Sequence, residues 1–403
     1  MFLLLIGFAS LMLIGVMIWL AIVFHPARAW DFQPVAEDVS PPPAPSAWPP
    51  VAILVPARNE ADSLPLTLPA LLQQDYPGSF RVILVDDRSS DGTADVARKL
   101  AADRSLAHKL SVLQGEALPE GWVGKVWALE QAARHAAASK TPPKYLLLTD
   151  ADILHAPHSL RRLVAESAAG GLALNSRMAL LRCASGAERL LIPAFVFFFN
   201  LLYPMRWVNH PAHPVAAAAG GCVLLDHNGL QQSGGLAAIR GEIIDDVNLA
   251  RRIKAPGRPI RLALSRDDVR SLRAYETLDS IWKMVRRTAF TELNHSWLKL
   301  GACVFLLFVM FLLPPLAIAA GAMFAIQAGT GLLDPGALGL CVGITAKGIV
   351  ACVLMADVYR PAVRFFGLPG SYSWSLPVAG VLYGLMTLDS AWKHLSGRQR
   401  GWR

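Results

Sequence analysis

"YLLLTDADI", residues 145–153, is an apolar run that ends in two aspartates with one alanine between them. Side chains alternate with period two along a strand, so a strand carried through this tip puts Asp150 and Asp152 on nearly the same side. Like charges that close repel unless something positive sits between them. A divalent cation with oxygen preference does that, and such a metal commonly brings phosphates with it. The plainer alternative is a solvated turn at a strand end, where aspartate is common. The rest of the chain favours the first reading.

Three further runs share the plan. "VAILVPARNE" (51–60) breaks at Pro56 and leads into a helical pattern over 61–75. "FRVILVDDRSSDGT" (80–93) has an acidic tip and then Ser, Asp and Gly opening a helix, and "LSVLQG" (110–115) adds another run. Doubly hydrophobic strands alternating with helices predict an α/β fold with a mostly parallel sheet covered on both faces. Ligands of such sheets collect beyond the carboxyl ends of the strands. The polar tips at 56–60, 86–87 and 150–152 are therefore expected to line one crevice.

No G-x-G-x-x-G turn follows a strand, and there is no P-loop, so phosphates must be handled by other means. A metal at Asp150 and Asp152 is the candidate, with Asp87 left to accept hydrogen bonds from a base or ribose. Lys125, in "GWVGKVWAL", lies near a helix start, either facing an anion or simply solvated. "EIIDDVNLARRIK" (242–254) opens a helix with Asp245 and Asp246. They offset the helix dipole there, and an acid so placed can also serve as general base for an incoming hydroxyl.

The chain of 403 residues is 54% hydrophobic, more than an ordinary soluble protein carries, and the excess is localised. Residues 1–24 bear no charge and are long enough for a bilayer core of about 30 Å. They lack the basic start of a signal peptide and predict an uncleaved anchor. Residues 25–50 read as a proline-rich tether, 51–295 as a region of a size suited to one α/β domain, and 296–403 as a second membrane region. Its spans are expected at about 302–326 and 336–357, with a shorter segment at 374–391 that is either a further span or one that dips in or lies at the interface. If that segment dips inward, Asp389 is a candidate partner for Lys347. The segment 190–208 is broken by Pro193 and Pro204 and reads either as an interfacial helix or as a buried core helix. The net charge of +8 lies largely in Arg-rich stretches beside the membrane segments, which fits anionic headgroups and not nucleic acid. Five scattered cysteines (183, 222, 303, 341, 352) indicate neither a zinc site nor a disulfide framework.

In order along the chain, "PARNE" (56–60), "VDDRSSDGT" (85–93), "TDAD" (149–152), "GGCVLL" (220–225) and "DDVNLARRI" (245–253) together resemble a membrane-bound family 2 glycosyltransferase with the GT-A fold. With "RTAF" (287–290) and the flanking spans, the chain is similar more narrowly to the hopene-associated glycosyltransferases of the HpnB type. The resemblance implies roles. Pro56, Arg58 and Glu60 border the nucleotide, with Lys125 nearby, and Asp87 binds uracil or ribose. Asp150 and Asp152 hold Mg2+ or Mn2+ against the diphosphate of a nucleotide-sugar donor, UDP-linked by expectation. Asp246 is the catalytic base of an inverting transfer, and Gly220, Gly221, Asp245 and Arg286 lie in the acceptor region. The family's Gln-x-x-Arg-Trp element of processive synthases is degraded to "KMVRR" (283–287), which favours transfer of a single hexose or N-acetylhexosamine to a lipid. A processive polysaccharide synthase and a non-catalytic nucleotide- or lipid-binding scaffold are the alternatives. The resemblance also places the protein in the inner membrane, multi-pass, with its catalytic domain in the cytoplasm.

Overall fold

A computed structural model describes residues 2–32, 43–330 and 335–396. Part of the tether (33–42) and the basic tail (397–403) lie outside the described residues. The strands are β1 (Val51–Ala57), β2 (Phe80–Asp86), β3 (Leu110–Gln114), β4 (Tyr145–Thr149), β5 (Ile153–His155), β6 (Leu174–Met178), β7 (Cys222–Asp226), β8 (Ile260–Leu264) and β9 (Val269–Ser271). The helices begin with α1 (Phe2–Phe24), α2 (Leu64–Leu72), α3 (Thr93–Ala102), α4 (Gly124–Ala137) and α5 (Ser159–Gly170). Then come α6 (Gly186–Leu202), α7 (Met205–Val208), α8 (His227–Gln232), α9 (Asp245–Lys254) and α10 (Leu278–Glu292). The chain closes with α11 (Trp297–Leu307), α12 (Leu313–Gly329), α13 (Pro335–Phe365) and α14 (Leu376–Leu395).

Two compact units form. Cys183–Leu202 and the chain from Tyr275 on group with the N-terminal helix; the remainder of the described residues makes the other unit. The catalytic region expected over 51–295 is thus divided, because α6 and α10 pack with the apolar helices. In the α/β unit a seven-stranded sheet has the order β3-β2-β1-β4-β7-β6-β8. β7 alone runs against its neighbours, pairing antiparallel with β4 and β6; the other four pairings are parallel. β1 and β4 are buried along their whole length, as their unbroken apolar sequences require. Ile53, Leu84, Leu147 and Leu224 on one face pack with Leu68 of α2 and Leu160 of α5. The register pairs Ala57 with Asp86 and Leu54 with Leu148, so the polar tips emerge at one edge of the sheet.

The tip of β4 departs from expectation. The strand ends at Thr149, and Asp150–Ala151–Asp152 is a tight turn closed by the Ile153 amide donating to the Asp150 carbonyl at 3.2 Å. β5 then pairs antiparallel with β9, forming a separate two-stranded ribbon. The two aspartates therefore leave a turn, not successive same-side positions of one strand.

The other unit gathers the apolar helices. Leu5–Phe24, Trp297–Gln327 and Leu338–Phe365 are long and apolar enough to cross a membrane. The second starts earlier than the sequence suggests, at the cap Ser296, and runs through a π-helical turn at Phe308–Leu312. The third extends past residue 357 to Phe365. Small residues bring α12 and α13 together: a Cβ on Gly348 would stand 2.8 Å from the Pro314 carbonyl oxygen. The 190–208 segment splits at Pro204 into α6 and α7, and α6 is a largely buried helix that keeps Pro193 within it. The 374–391 segment is helix α14, packed on α10. Asp389 does not serve Lys347. Its Oδ2 accepts from Trp282 Nε1 at 2.7 Å and Arg286 Nη1 at 3.1 Å, because α10 presents both donors to it.

Candidate active site

The first two sheet tips are laced together. The Asn59 amide donates to Ser89 Oγ, the Glu60 amide to Thr93 Oγ1 and the Ala61 amide to Asp91 Oδ2, at 2.9 to 3.0 Å. In return Asn59 Oδ1 accepts from the Ser90 amide at 2.9 Å. Asn59 and Arg88 hold positive φ of 55°, a conformation that asparagine tolerates better than most residues. Gly115 closes the same edge, since a Cβ there would stand 2.9 Å from the Asp86 carbonyl oxygen. This framework sets Arg58 Nη1 at 3.3 Å from Asp87 Oδ2, an acid only 8% exposed.

A second cluster lies beyond the end of β4. Pro56, Lys125, Asp150, Gly220, Asp245 and Asp246 line one pocket, with Thr149 and Leu249 in its wall. Lys125, in the first turn of α4, places Nζ 2.8 Å from Asp150 Oδ1 and 3.6 Å from Asp245 Oδ2. Burial disfavours its charge, but Asp150 and Asp245 outweigh that, so its pKa is raised and the cation persists. The expected anion partner is thus a set of protein carboxylates.

Asp245 and Asp246 are the first two residues of α9, and neither is its cap, which is Ile244. Asp246 is locked in place: Oδ2 accepts from the Gly220 amide and Oδ1 from the Val247 amide, both at 2.8 Å. Burial, and then the neighbouring Asp245, push its carboxyl up to about 7, while Lys125 and the two amides pull it down. Gly220 is required by this approach, because a Cβ there would stand 3.2 Å from Lys125 Nζ and 3.3 Å from Asp246 Oδ2. Gly221 likewise backs onto Ile153, and its carbonyl accepts from Thr149 Oγ1 at 2.8 Å.

Asp150 and Asp152 face different surroundings. Asp150 is 36% exposed and opens onto the pocket, whereas Asp152 is 7% exposed and its Oδ2 accepts from Arg273 Nε at 2.6 Å. Arg273 Nη2 also donates to Glu60 Oε1 at 2.7 Å. Arg273 is a site residue that no motif announces. It arrives because β9 pairs with β5 and the Leu272 amide donates to the Asp152 carbonyl at 2.9 Å. Burial raises the pKa of Glu60, Arg273 opposing. Arg286 belongs to the unit of apolar helices, where its Nη1 donates to Asp389 Oδ2 at 3.1 Å. Among the described residues no group of three or more His, Cys, Asp or Glu is poised to hold a metal alone. Two hard carboxylates with phosphates and water completing the shell is how Mg2+ is commonly bound, so the donor set fits such an ion.

The fold has counterparts among known proteins. The mannosyltransferase PcManGT of Pyrobaculum calidifontis, solved in complex with GDP-Man and Mn2+, superposes with a TM-score of 0.51 at 20% identity, over 87% of this chain and 98% of that one. The likeness shows the fold, that of the GT-A glycosyltransferases. Two curated relatives are the undecaprenyl-phosphate mannosyltransferase of Micrococcus luteus and the 4,4'-diaponeurosporenoate glycosyltransferase of Staphylococcus haemolyticus. The first is 34% identical over 32% of this chain and 48% of its own length. The second is 33% identical over 28% of this chain and 27% of its own. The chain thus matches less than half the length of either. Residues 52–179, from β1 to just past β6, match the family described as Glycosyl transferase family 2.

Proposed function

We propose that this protein transfers a single sugar, with inversion, from a nucleotide-diphospho-sugar to an isoprenoid-derived membrane lipid. The observation that carries the reading is Asp246: a half-buried carboxyl pushed up to about 7, held by two backbone amides, in one pocket with Lys125 and Asp150. A base near neutrality is what removal of a proton from a hydroxyl asks for. The acceptor hydroxyl gives its proton to Asp246 as its oxygen bonds to the anomeric carbon. The bond from that carbon to the phosphate oxygen breaks, and its electron pair leaves with the nucleoside diphosphate. A divalent ion, held by Asp150 and Asp152 when bound, supplies electrostatic stabilisation of the leaving phosphate. Lys125 keeps Asp150 and Asp245 from repelling one another, and the Arg58–Asp87 pair lies where the nucleoside would rest.

The lipid acceptor is supported by the three candidate spans and by the names of two relatives, each of which carries an isoprenoid lipid. Hopanoids belong to the same chemical class, and the sequence resemblance makes them the first acceptors to try. UDP-linked hexoses and N-acetylhexosamines are the first donors, and GDP-mannose is the next. The site would work at the cytoplasmic face of the inner membrane, where nucleotide sugars are made. Membranes containing the protein, incubated with radiolabelled donors and then extracted, should yield one glycolipid bearing one sugar. Labelled polymer would point to the synthase alternative. Donor binding with no labelled product from any lipid would favour the scaffold.

A further inference from the structure

The donor-site carboxylates already have cations. Lys125 holds Asp150, and Arg273 bridges Asp152 and Glu60, contacts of 2.6 to 2.8 Å. Asp152 is 7% exposed, so the guanidinium on it is poorly replaced by water. Arg273 itself is 47% exposed. A dication drawn to Asp152 meets a positive charge in its way.

Resting on the reading of this pocket as a nucleotide-sugar site, we propose that Arg273 is a resident counter-cation that yields Asp152 to the metal and passes to the donor diphosphate, coupling the binding of the two. A metal on Asp152 must displace the Arg273 guanidinium from two carboxylates, and a metal alone offers that cation nothing in return. A diphosphate arriving with the metal gives the displaced guanidinium two phosphates, which its planar fork suits. Metal alone therefore binds weakly, and metal with nucleoside diphosphate binds well; such coupling acts equally in both directions. The position supports the role. β9 and the Leu272 amide fix the backbone beside Asp152, so a change of rotamer suffices to hand the guanidinium over.

The test is Mn2+ titration of the purified full chain in detergent, read by electron paramagnetic resonance, with and without UDP or GDP. In Arg273→Gln, Mn2+ alone should bind at least about tenfold more tightly than in wild type, and the enhancement by nucleotide should shrink. Arg273→Lys keeps a cation and should stay close to wild type with Mn2+ alone. Because the Gln variant leaves Asp152 and Glu60 facing each other, wild type supplies a second readout. Phenylglyoxal modification of Arg273, followed by peptide mass spectrometry, should rise when Mn2+ is added and fall when nucleotide follows. Unchanged or weaker Mn2+ binding by Arg273→Gln, or an Arg273 reactivity indifferent to Mn2+, overturns the inference. Failure of the donor-site reading looks different: wild type would then bind neither nucleotide sugar nor nucleoside diphosphate under any metal condition.

Discussion

At the scale of single residues, Asp246 joins structure to chemistry, and its protonation gives opposite signs for activity and stability. Ordinary aspartate loses its proton near 3.8, whereas half-buried Asp246 keeps it to about 7. The base form is thus absent in acid, and kcat/KM should rise with pH through about 7 before levelling. Stability should run the other way. The folded state holds a proton that the unfolded chain releases, so the contribution of this group is full below the ordinary value and is lost as pH rises to about 7. Asp246→Asn should leave donor binding near normal, lower turnover by about two orders of magnitude or more, and flatten that part of the stability profile. Denaturation followed between pH 4 and 8, beside a pH–rate profile, checks both signs. Lys125→Gln tests the cause, because Lys125 favours the charged form of Asp246: its loss should move the rising limb to higher pH. An unmoved limb would mean that Lys125 does not govern the base.

At the scale of elements, α9 is fixed at both ends. Gly220 holds its start through Asp246. At its end buried Lys254 Nζ donates to the carbonyls of Trp207, Val208 and Val215, at 2.7 to 3.1 Å. Those carbonyls belong to the segment that leads to Gly220, so one lysine ties the helix of Asp246 to the loop that orients it. Lys254→Met should strand three acceptors and cost about 3 kcal/mol, seen as a lower Tm. It should lower kcat more than it changes donor affinity, because the donor tips belong to other elements. An unchanged Tm would mean that the loop finds other partners. The same elements show what was legible in the sequence. β1, β2 and β4 read directly, since strands buried on both faces need unbroken apolar runs and their polar tips mark the ends. The aspartates of 245–246 read as a helix start for the same local reason. Arg273 did not read. Its partners lie 121 and 213 residues away, and the ribbon that delivers it is three residues wide, too short to leave a periodic signal. The turn at Asp150–Asp152 read only as the plainer alternative, because it is the pairing of β5 with β9 that takes the chain out of β4 so early.

At the scale of the whole molecule, the question is on which side of the membrane each end lies. If the region matching Glycosyl transferase family 2 faces the cytoplasm, as proposed, the first span runs inward, consistent with Arg28 after it. The span Trp297–Gln327 then leads out and Leu338–Phe365 leads back, delivering Arg360 and Arg364 to the inner side. Only α14 remains, and its packing supplies an argument that composition lacks. Asp389, near its C-terminal end, is bound by Trp282 and Arg286 of α10, which precedes the second span and carries Lys283 and Arg287 as well. Ser390 reinforces the junction, donating to the Arg286 carbonyl at 2.6 Å and accepting from the Phe290 amide at 3.0 Å. A helix that entered from the inner side and crossed fully would carry Asp389 to the outer side, away from α10. The two helices can keep these bonds only if α14 begins and ends on the side where α10 lies. A reporter fused after Arg403 should therefore be active in the cytoplasm. Asp389→Leu should loosen α14 from α10 and expose the C-terminal tail more readily to protease in inside-out vesicles. A reporter active only outside the cytoplasm would make α14 a fourth span and break the link between this pairing and topology.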